Sequence, residues 1–430
     1  MPIATPPAVA SAMPHSTSAV EFSGFEGDRR ARNADKAEAV KRDFRTDTIT
    51  IPTDDLYELM KDASRGDDVY GEDPDTVELQ DRIAKLAGKE AALFCASGTM
   101  TNQLAIRAHL SSPPYSVVTD ARAHVHLSEA GGIAFHSGAT TFPVFPDNGH
   151  HLTVEEVLGA CVPEDGDVHG APTKLVCVEN TLSGMIYPQP VLVALSSALS
   201  ALPTPIPLHC DGARLWDVVA ATGLSLAEAC APFETVSLCM SKGLGAPIGS
   251  VLVGPKKFIQ KATHYRKLFG GGLRQTGGLA LAASHCLTNT LPRLPGVHQL
   301  AKRLAAGLVQ HGVGLQLPVE TGMVWIDPAP AGFGMAQLAS AAAEEGVKLS
   351  AAWGRLVVHF QTSEEAVDAL IRVAGRLAEA HQAERAAWEE EAGTEEAQRV
   401  RRVSEGYARG EWRGRVEPPR NRLQGCGKGK

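Results

Sequence analysis

The sequence predicts a two-domain α/β protein whose larger part is built around a mostly parallel β-sheet. A chain of 430 residues is longer than one hydrophobic core usually supports. From about residue 43 to about residue 290, short apolar runs alternate with segments of helical spacing. Beyond this point the alternation ends and longer helical segments begin. We therefore predict a large α/β domain, residues 43–290, and a smaller α+β domain, residues 291–385.

Six apolar runs are the predicted strands of the large domain: AALFCAS (91–97), YSVVTD (115–120), TKLVCVEN (173–180), IPLHCDG (206–212), TVSLCMS (235–241) and SVLVG (250–254). Segments between them, such as TVELQDRIAKLAG and SLAEACAPF, place apolar residues at helical spacing. Strands that alternate with helices form parallel sheets covered on both faces, which gives three layers, αβα. Ligands of such folds bind beyond the carboxyl ends of the strands, where the polar clusters of this chain fall.

The smaller domain and the two chain ends have other patterns. HQLAKRLAAGLVQHG predicts a helix, ETGMVWID and RLVVHFQ predict strands, and EEAVDALIRVAGRLAEAHQAERAAWEEE predicts a long amphipathic helix. Residues 1–42 begin with a segment rich in Ala, Pro and Ser, which predicts a disordered tail. Residues 386–430 are strongly charged and predict a solvated tail.

Composition and charge exclude several classes of function. Hydrophobic residues make up 44% and charged residues 21% of the chain, as in ordinary globular proteins, and the net charge of -8 argues against a nucleic-acid partner. No apolar run reaches the roughly 18 residues of a membrane span. The eight cysteines include no C-x-x-C pair, so we predict reduced thiols and no metal site. The N-terminus lacks a secretory signal, and no arginine precedes Arg29, so we predict a cytoplasmic rather than a mitochondrial protein.

The first polar cluster is SGTMTNQ, residues 97–103, directly after the first predicted strand. Small residues that enter a helix leave backbone N–H groups free to hold an anion, and the helix dipole adds to the attraction. A plain tight turn explains the same residues. Both interpretations stay open on this segment.

The second cluster is HCDGARLWD, residues 209–217. Asp211 ends a buried apolar strand, where a desolvated carboxylate needs a partner. Arg214 could be that partner in a purely structural role. Alternatively, Asp211 holds a protonated ring nitrogen of a ligand.

The third cluster is CMSKGLGAPIGSVLVG, residues 239–254, in which Lys242 stands among small residues. A lysine in such a segment must reach solvent or take part in chemistry. An anion site, an acid for a pyridine nitrogen and a lysine are the three groups that pyridoxal phosphate requires. We therefore predict pyridoxal 5'-phosphate as the cofactor, with Lys242 as its covalent attachment.

The fourth cluster is ARAHVHLSEAGG, residues 121–132. Either His124 or His126 could stack on a cofactor ring or move protons. We expect one of the two to be a structural residue.

Seven motifs occur in one order along the chain: DFRTDT, GDDVYGEDPDTVELQDRIAKLAGKEAALFCASGTMTNQLAIRAHL, AHVHLSEAGG, DVHGAPTKLVCVENT, HCDGAR, SKGLGAPIGSVLVG and YRKLFGGGLRQTGG. From about Asp43 to Ala380 the sequence resembles the low-specificity L-threonine aldolases of the aromatic β-eliminating lyase group. The resemblance implies an aspartate-aminotransferase-like large domain with a smaller C-terminal domain. It also implies cleavage of L-threonine, L-allo-threonine and related β-hydroxy-α-amino acids to glycine and an aldehyde.

The resemblance assigns cofactor roles residue by residue. Lys242 matches the lysine that carries the cofactor, and Asp211 matches the acid on its pyridine nitrogen. Arg214 matches an arginine near the phenolic oxygen, and His124 a histidine stacked on the ring. The residues that match the phosphate-binding turn are Gly98, Thr99 and Met100.

The resemblance also implies a substrate site. Thr46 and Arg355 match the residues that bind the substrate carboxylate, with Arg214 beside them. His169 matches a second histidine near the substrate hydroxyl, so His124, His169 or a water between them is the expected base. The residues that match the pocket mouth are Tyr70, Lys267 and Arg274, and Arg274 also reaches the cofactor.

Two departures from the family pattern bear on specificity. The family's E-N-T-H-N is Glu179 to Ser183 here, with one histidine missing, and its V-T-H-L-D is VVHFQ. The alternatives are an amino-acid racemase, such as an alanine racemase, and a catalytically silent cofactor-binding homologue. Retention of His124 and His169 favours the aldolase, and the intact Lys242 and Asp211 argue against a silent protein.

The loop YRKLFGGGLRQTGG, residues 265–278, predicts assembly. Arg266, Lys267 and Arg274 surround three consecutive glycines, and in one subunit alone we expect them to meet no anion. A solvated turn is the alternative. In the family this loop reaches a neighbouring site, so we predict a homodimer or homotetramer acting on a small amino acid, with no nucleic-acid or membrane partner.

Overall fold

The computed structural model describes residues 29–382 together with residues 398 and 400. Its large sheet consists of β1 Ala91–Cys95, β2 Ser116–Asp120, β3 Thr140–Val144, β4 Thr173–Glu179, β5 Leu208–Gly212, β6 Thr235–Cys239 and β7 Ser250–Gly254. The strand order is β1-β7-β6-β5-β4-β2-β3. Strands β3, β2, β4, β5 and β6 run parallel, and β7 runs antiparallel to its neighbours β6 and β1. The predicted mostly parallel sheet is confirmed.

Each of the six predicted apolar runs contains a strand. In β2, β5, β6 and β7 every residue is buried, because helices cover both faces of the sheet and leave no solvent-facing side. The sequence analysis missed β3, which contains Pro143 and has partly exposed residues. Proline is tolerated in β3 because this strand forms the edge of the sheet.

The helices are α1 Arg29–Val40, α2 Asp54–Lys61, α3 Pro74–Ala87, α4 Gly98–His109, α5 His124–Leu127, α6 Gly132–Ser137, α7 Val154–Ala160, α8 Gln189–Ser200, α9 Leu215–Thr222, α10 Leu226–Cys230, α11 Lys256–Leu268, α12 Gly277–Asn289, α13 Leu294–Gln310, α14 Met335–Glu344 and α15 Glu364–Ala380. Helix α3 shows how local sequence sets the boundaries. The Asp73 side chain accepts the Thr76 N–H, Pro74 occupies the first turn, and Gly88 ends the helix at φ 63°.

A second, antiparallel sheet contains β8 Gly314–Leu315, β9 Met323–Asp327 and β10 Arg355–Val357, in the order β10-β9-β8. Helices α13, α14 and α15 accompany it, so the predicted α+β character is confirmed. Helix α15 buries Leu370, Val373 and Ala374 at helical spacing. One apolar cluster extends from Phe44 to Ala378 and joins the two sheets into a continuous core, so the domain boundary near residue 290 stays a prediction.

In the described parts of the two chain ends, the structure differs from the predicted disordered and solvated tails. Residues 1–42 are predicted to be disordered, but Arg29–Val40 form α1 and Val40 is buried. The prediction was wrong there because Ala, Arg, Lys and Glu favour helix without an apolar stripe. In the predicted solvated tail, Val400 is buried, and the rest of that tail lies outside the described residues.

None of the helices in the described part of the chain combines the length and apolar character that a membrane span needs. The seven cysteines in this part are all free thiols, as predicted, and the eighth, Cys426, lies outside it.

Candidate active site

Five parallel strands end at one edge of the large sheet, and polar side chains cluster there. Ser97 follows β1, Asp120 ends β2, Glu179 ends β4, Asp211 lies in β5 and Lys242 follows β6. Because β1 and β6 both run antiparallel to β7, the carboxyl ends of all five strands lie on the same side. This edge is where ligands bind in doubly wound α/β folds.

Asp211 is a buried carboxylate fixed by two hydrogen bonds. It is 2% exposed. Its Oδ2 accepts from Asn102 Nδ2 at 2.8 Å, and its Oδ1 accepts from the Ala213 N–H at 3.1 Å. Glu179 lies directly opposite it in the β4–β5 register. The carboxylate is therefore held in one direction by uncharged donors.

Arg214 does not pair with Asp211. Its Nε and Nη2 donate to the carboxylate of Asp47 at 2.8 and 2.6 Å. Burial raises the pKa of Asp47, but the charge and hydrogen bonds of Arg214 outweigh burial and lower this pKa to about 2. The structural interpretation of Asp211, as the partner of Arg214, was wrong.

Lys242 is half-buried in a tight turn after β6. Its carbonyl accepts the Gly245 N–H at 2.8 Å and the Thr50 hydroxyl at 3.3 Å. Gly245 has φ 82°, and a Cβ there would lie 2.5 Å from the Phe360 ring, so only glycine fits the turn. Across residues 29–382, no hydrogen-bond or ion-pair partner contacts the Nζ of Lys242. Its amine is available to a ligand.

Helix α4 begins at this edge with two unused amide groups. The Ser97 hydroxyl accepts the Met100 N–H at 3.1 Å, while the N–H groups of Gly98 and Thr99 have no acceptor among the described residues. A Cβ on Gly98 would lie 2.7 Å from the sulfur of Cys239, so glycine lets the helix start pack against the end of β6. The structure therefore favours an anion site made by Gly98 and Thr99. The Met100 N–H is occupied by the Ser97 hydroxyl, and the predicted role of Met100 in cofactor binding stays a prediction.

His124 is connected to two carboxylates. Its backbone N–H donates to Glu179 Oε2 at 2.7 Å, and its ring Nδ1 lies 2.9 Å from Glu129 Oε1. The hydrogen bond to Glu129 raises the pKa of His124. Because a carboxylate only accepts, Nδ1 carries the proton and Nε2 is left as the reactive nitrogen.

The carboxylates of this cluster are close together. Ligand-type atoms of His124, Glu129 and Asp211 lie within 4.8 Å of one another, an arrangement that could also hold a metal ion. Each of the three is also hydrogen-bonded within the protein. Burial, together with the charge of Asp211, raises the pKa of Glu179.

Arg355 and Thr46 lie where the small domain meets the segment before α2. Arg355 Nη2 donates to the Arg45 carbonyl at 3.3 Å. Burial, with the nearby charge of Arg214, lowers the pKa of Arg355. The Thr46 hydroxyl accepts the Thr48 N–H at 3.3 Å. Two guanidinium groups thus lie near each other, and only that of Arg214 has a carboxylate partner among the described residues.

Known proteins resemble this chain over most of its length. The beta-eliminating lyase family model matches residues 43–330. A low-specificity L-threonine aldolase from Saccharomyces cerevisiae is 45% identical over 327 residues, which cover 76% of this chain and 84% of the yeast protein. The chain belongs to the low-specificity L-threonine aldolases of the beta-eliminating lyase family.

Further similarities concern the alternative function and the fold. An alanine racemase from Cochliobolus carbonum is 36% identical over 339 residues, covering 77% of this chain and 86% of the racemase. The Leishmania major threonine aldolase structure superimposes with a TM-score of 0.65 at 21% identity, covering 78% of this chain and 99% of that one. The structure of aspartate aminotransferase from Thermus thermophilus gives a TM-score of 0.57 at 16% identity. The superposition covers 81% of this chain and 96% of the aminotransferase chain. The aspartate-aminotransferase-like fold is confirmed.

The glycine-rich loop of this threonine aldolase family member does meet anions in its own chain. Arg266 is buried and pairs with Asp68 at 2.7 Å, and the exposed Arg274 pairs with Asp67 at 2.8 Å. The expectation that these arginines lack carboxylate partners within one subunit was wrong. The pairs give the GDDVYGEDP motif a physical role, because its first two aspartates anchor the loop.

Three residues with predicted roles are exposed at the surface of the chain. Tyr70 is 73% exposed and Lys267 is also exposed. His169 is exposed and precedes β4, whose other end carries Glu179. Seven strand residues at about 3.3 Å each separate the two ends by roughly 20 Å. His169 therefore cannot reach Asp211 in its own chain, contrary to the expectation that it acts beside His124.

The two departures from the family pattern have structural consequences. Leu182, where the family has histidine, lines a cavity of about 10 Å³ with Glu179 and His151. Gln361, at the end of VVHFQ, bonds the Ile51 N–H at 3.0 Å and the Ile51 carbonyl at 2.9 Å. The glutamine thus fastens the segment that carries Thr46 to the small domain.

Sequence reasoning missed four residues of the site. Asp47 holds Arg214, Asn102 holds Asp211, Glu129 holds the His124 ring, and Glu179 accepts the His124 N–H. Each lies inside a quoted motif, as in DFRTDT and SGTMTNQ. The motifs that contain these residues were predicted to form the site, but the residues' hydrogen-bond partners are distant in sequence and were not predicted.

Proposed function

We propose that the protein is a pyridoxal-phosphate-dependent lyase that cleaves L-threonine, L-allo-threonine and related β-hydroxy-α-amino acids to glycine and an aldehyde. One observation carries the proposal. The Lys242 amine has no partner in the described chain and lies at the sheet edge that also holds the buried Asp211 carboxylate and the start of α4.

The donor set fits pyridoxal phosphate. Lys242 would hold it covalently, Asp211 would face its ring nitrogen, and the His124 ring would lie against it. The free N–H groups of Gly98 and Thr99 suit a phosphate, and the missing Cβ at Gly98 leaves their helix close to the Lys242 turn. When bound, the cofactor supplies an electron-accepting ring for cleavage of a bond at the amino acid's Cα.

The substrate carboxylate is the anion that suits Arg355 and Thr46. The Arg355 guanidinium has no carboxylate partner among the residues described, and Arg214 keeps a second positive charge nearby. Fixing the carboxylate decides which bond at Cα lies perpendicular to the cofactor ring. We infer that Arg355 and Thr46 orient the substrate in this way.

His124 is the base that we assign to the substrate's β-hydroxyl. Its Nδ1–H donates to Glu129, which leaves Nε2 to accept a proton and stabilises the cation that results. Removal of this proton allows the Cα–Cβ bond to break, with the aldehyde as leaving group. A role for His169 requires a neighbouring subunit, because in its own chain it lies at the far end of β4.

A racemase is the second candidate, since the chain is 36% identical to an alanine racemase. The same residues would then serve cleavage of the Cα–H bond. The aldolase is favoured because the identity to the Saccharomyces cerevisiae low-specificity L-threonine aldolase is higher, at 45%.

We also propose that the protein assembles as a homodimer or homotetramer in the cytoplasm. Phe135 is 84% exposed and Leu268 is 69% exposed. The His136 ring lies 5.2 Å from Phe135 and 4.4 Å from Phe269, which forms one aromatic surface. Exposed apolar patches of this kind mark interfaces. The free cysteines of the described part support a reducing compartment.

The test mixes purified protein with pyridoxal phosphate and either L-threonine or L-alanine. We expect acetaldehyde and glycine in equal amounts from L-threonine and no D-alanine from L-alanine. Lys242→Ala is the control, because it removes the covalent attachment without changing the rest of the site. D-alanine without acetaldehyde would establish the racemase instead, and neither product would contradict both.

A further inference from the structure

Asn102 lies at the centre of a buried hydrogen-bond network under the site. It is 1% exposed, in the second turn of α4. Its Nδ2 lies 2.8 Å from Asp211 Oδ2 and 2.8 Å from Glu129 Oε1. Its Oδ1 lies 3.2 Å from His209 Nε2. One amide therefore contacts the two carboxylates nearest to the candidate chemistry.

The partners determine how the Asn102 amide is oriented. The carboxylates of Asp211 and Glu129 can only accept, so the NH2 group must face them. The amide oxygen then faces His209, which must donate from Nε2. Burial lowers the pKa of His209 to about 4, which keeps this ring neutral. The Asn102 amide group thus donates one hydrogen bond to each carboxylate, and its oxygen accepts one hydrogen bond from His209.

No other side chain of this size would serve both carboxylates. Aspartate would add a third negative charge, and leucine would supply no donor. Ligand-type atoms of these carboxylates and of His124 lie within 4.8 Å of one another, so the two negative charges repel each other. The Asn102 amide donates one hydrogen bond to each carboxylate, which offsets this repulsion. The two hydrogen bonds also fix the direction of each carboxylate.

We propose that Asn102 is a positioning residue for the reaction, which holds Asp211 toward the ring nitrogen and Glu129 toward His124. This inference rests on the proposed function, because Asp211 acts on the cofactor and His124 on the substrate. The contribution of Asn102 is exerted through those two residues. Asn102 itself is 1% exposed and lies behind the two carboxylates.

The neighbouring residue provides a matched control. Gln103 is also buried, at 3% exposure, and its Nε2 donates to Glu129 Oε2 at 2.6 Å. No hydrogen bond joins it to Asp211 among the described residues. Gln103→Leu therefore removes support from Glu129 alone, whereas Asn102→Ala removes support from Glu129 and Asp211.

The experiment compares wild type, Asn102→Ala, Asn102→Leu and Gln103→Leu as purified holoenzymes. Absorbance of bound pyridoxal phosphate is titrated against pH, and kcat and KM are measured with L-threonine. We expect both Asn102 variants to move the pH midpoint by about one unit or more, because Asp211 loses a donor to its charged form. We expect kcat to fall about 10- to 100-fold with little change in KM, the size of a lost hydrogen bond to a charged group.

Gln103→Leu should leave the absorbance midpoint at its wild-type value. If Asn102→Ala does not fold, Asn102→Leu decides, because it keeps a similar side-chain volume and supplies no donor. Wild-type midpoints and kcat in the Asn102 variants, or an equal midpoint shift in Gln103→Leu, would overturn the role of Asn102. A wild-type protein that neither binds pyridoxal phosphate nor cleaves L-threonine would instead refute the proposed function.

Discussion

Asp47 and Arg214 form a largely buried ion pair that joins the segment before α2 to the turn after β5, and Asp47→Asn tests how much this pair stabilises the protein. The substitution keeps the shape of Asp47 but removes its charge. The fall in the Asp47 pKa from 3.8 to about 2 corresponds to about 2 kcal/mol of folding free energy. Leaving a buried arginine unpaired costs about 3–5 kcal/mol in comparable cases. We expect the free energy of unfolding to fall by about 2–5 kcal/mol.

The pH dependence of this effect has a definite sign. The folded-state pKa of Asp47 is depressed, so the stabilisation is complete above 3.8 and is lost as pH falls toward about 2. Urea unfolding of wild type and Asp47→Asn near pH 7 should show the full difference. Near pH 3 the difference should narrow by about half.

The exposed pair Arg303–Glu364 supplies the control. Its side chains are 44% and 74% exposed, and exposed pairs contribute little to stability. Glu364→Gln should therefore unfold at the wild-type urea midpoint. If Asp47→Asn also unfolds at the wild-type midpoint with an unchanged slope, Arg214 does not depend on Asp47 and the reasoning is refuted.

Three other perturbations test separate parts of the account. Asp211→Asn should cost about 2–4 kcal/mol of transition-state stabilisation in kcat/KM for L-threonine, and an unchanged value would remove Asp211 from the chemistry. Burial lowers the pKa of His209 from 6.5 to about 4, so stability should fall by about 3 kcal/mol as pH drops from 6.5 to 4. His209→Gln should flatten that decline in urea unfolding, and equal pH slopes would contradict a neutral buried His209. Phe135→Asp should lower the oligomer mass measured by light scattering, and an unchanged mass would exclude this surface as an interface.

The site residues at the ends of buried strands could be predicted from the sequence. The residues that hold them through hydrogen bonds or ion pairs could not. Asp211 and Lys242 stand out because a charge directly after an apolar strand needs an explanation. Asn102 has partners 27 and 109 positions away, and Asp47 has its partner 167 positions away. Only the strand order brings such pairs together.

Topology also explains the errors. His169 precedes the predicted strand 173–180 and so lies at its amino end, opposite the site, but its role was carried over from the family motif without regard to this position. Strand β3 was missed because Pro143 breaks the pattern of a central strand and is tolerated only at the sheet edge. The partners of Arg266 and Arg274 were missed because they come from another motif, some 200 positions earlier.

The central claim is that Lys242 is the covalent attachment point of the cofactor, and one measurement tests it directly. The protein is incubated with pyridoxal phosphate, reduced with borohydride, digested, and its peptides are analysed by mass spectrometry. The account predicts that the phosphopyridoxyl group is found on the peptide containing Lys242 and is absent from that site in Lys242→Ala. Labelling of a different lysine to the same extent, or no stable label in an otherwise folded protein, would contradict it.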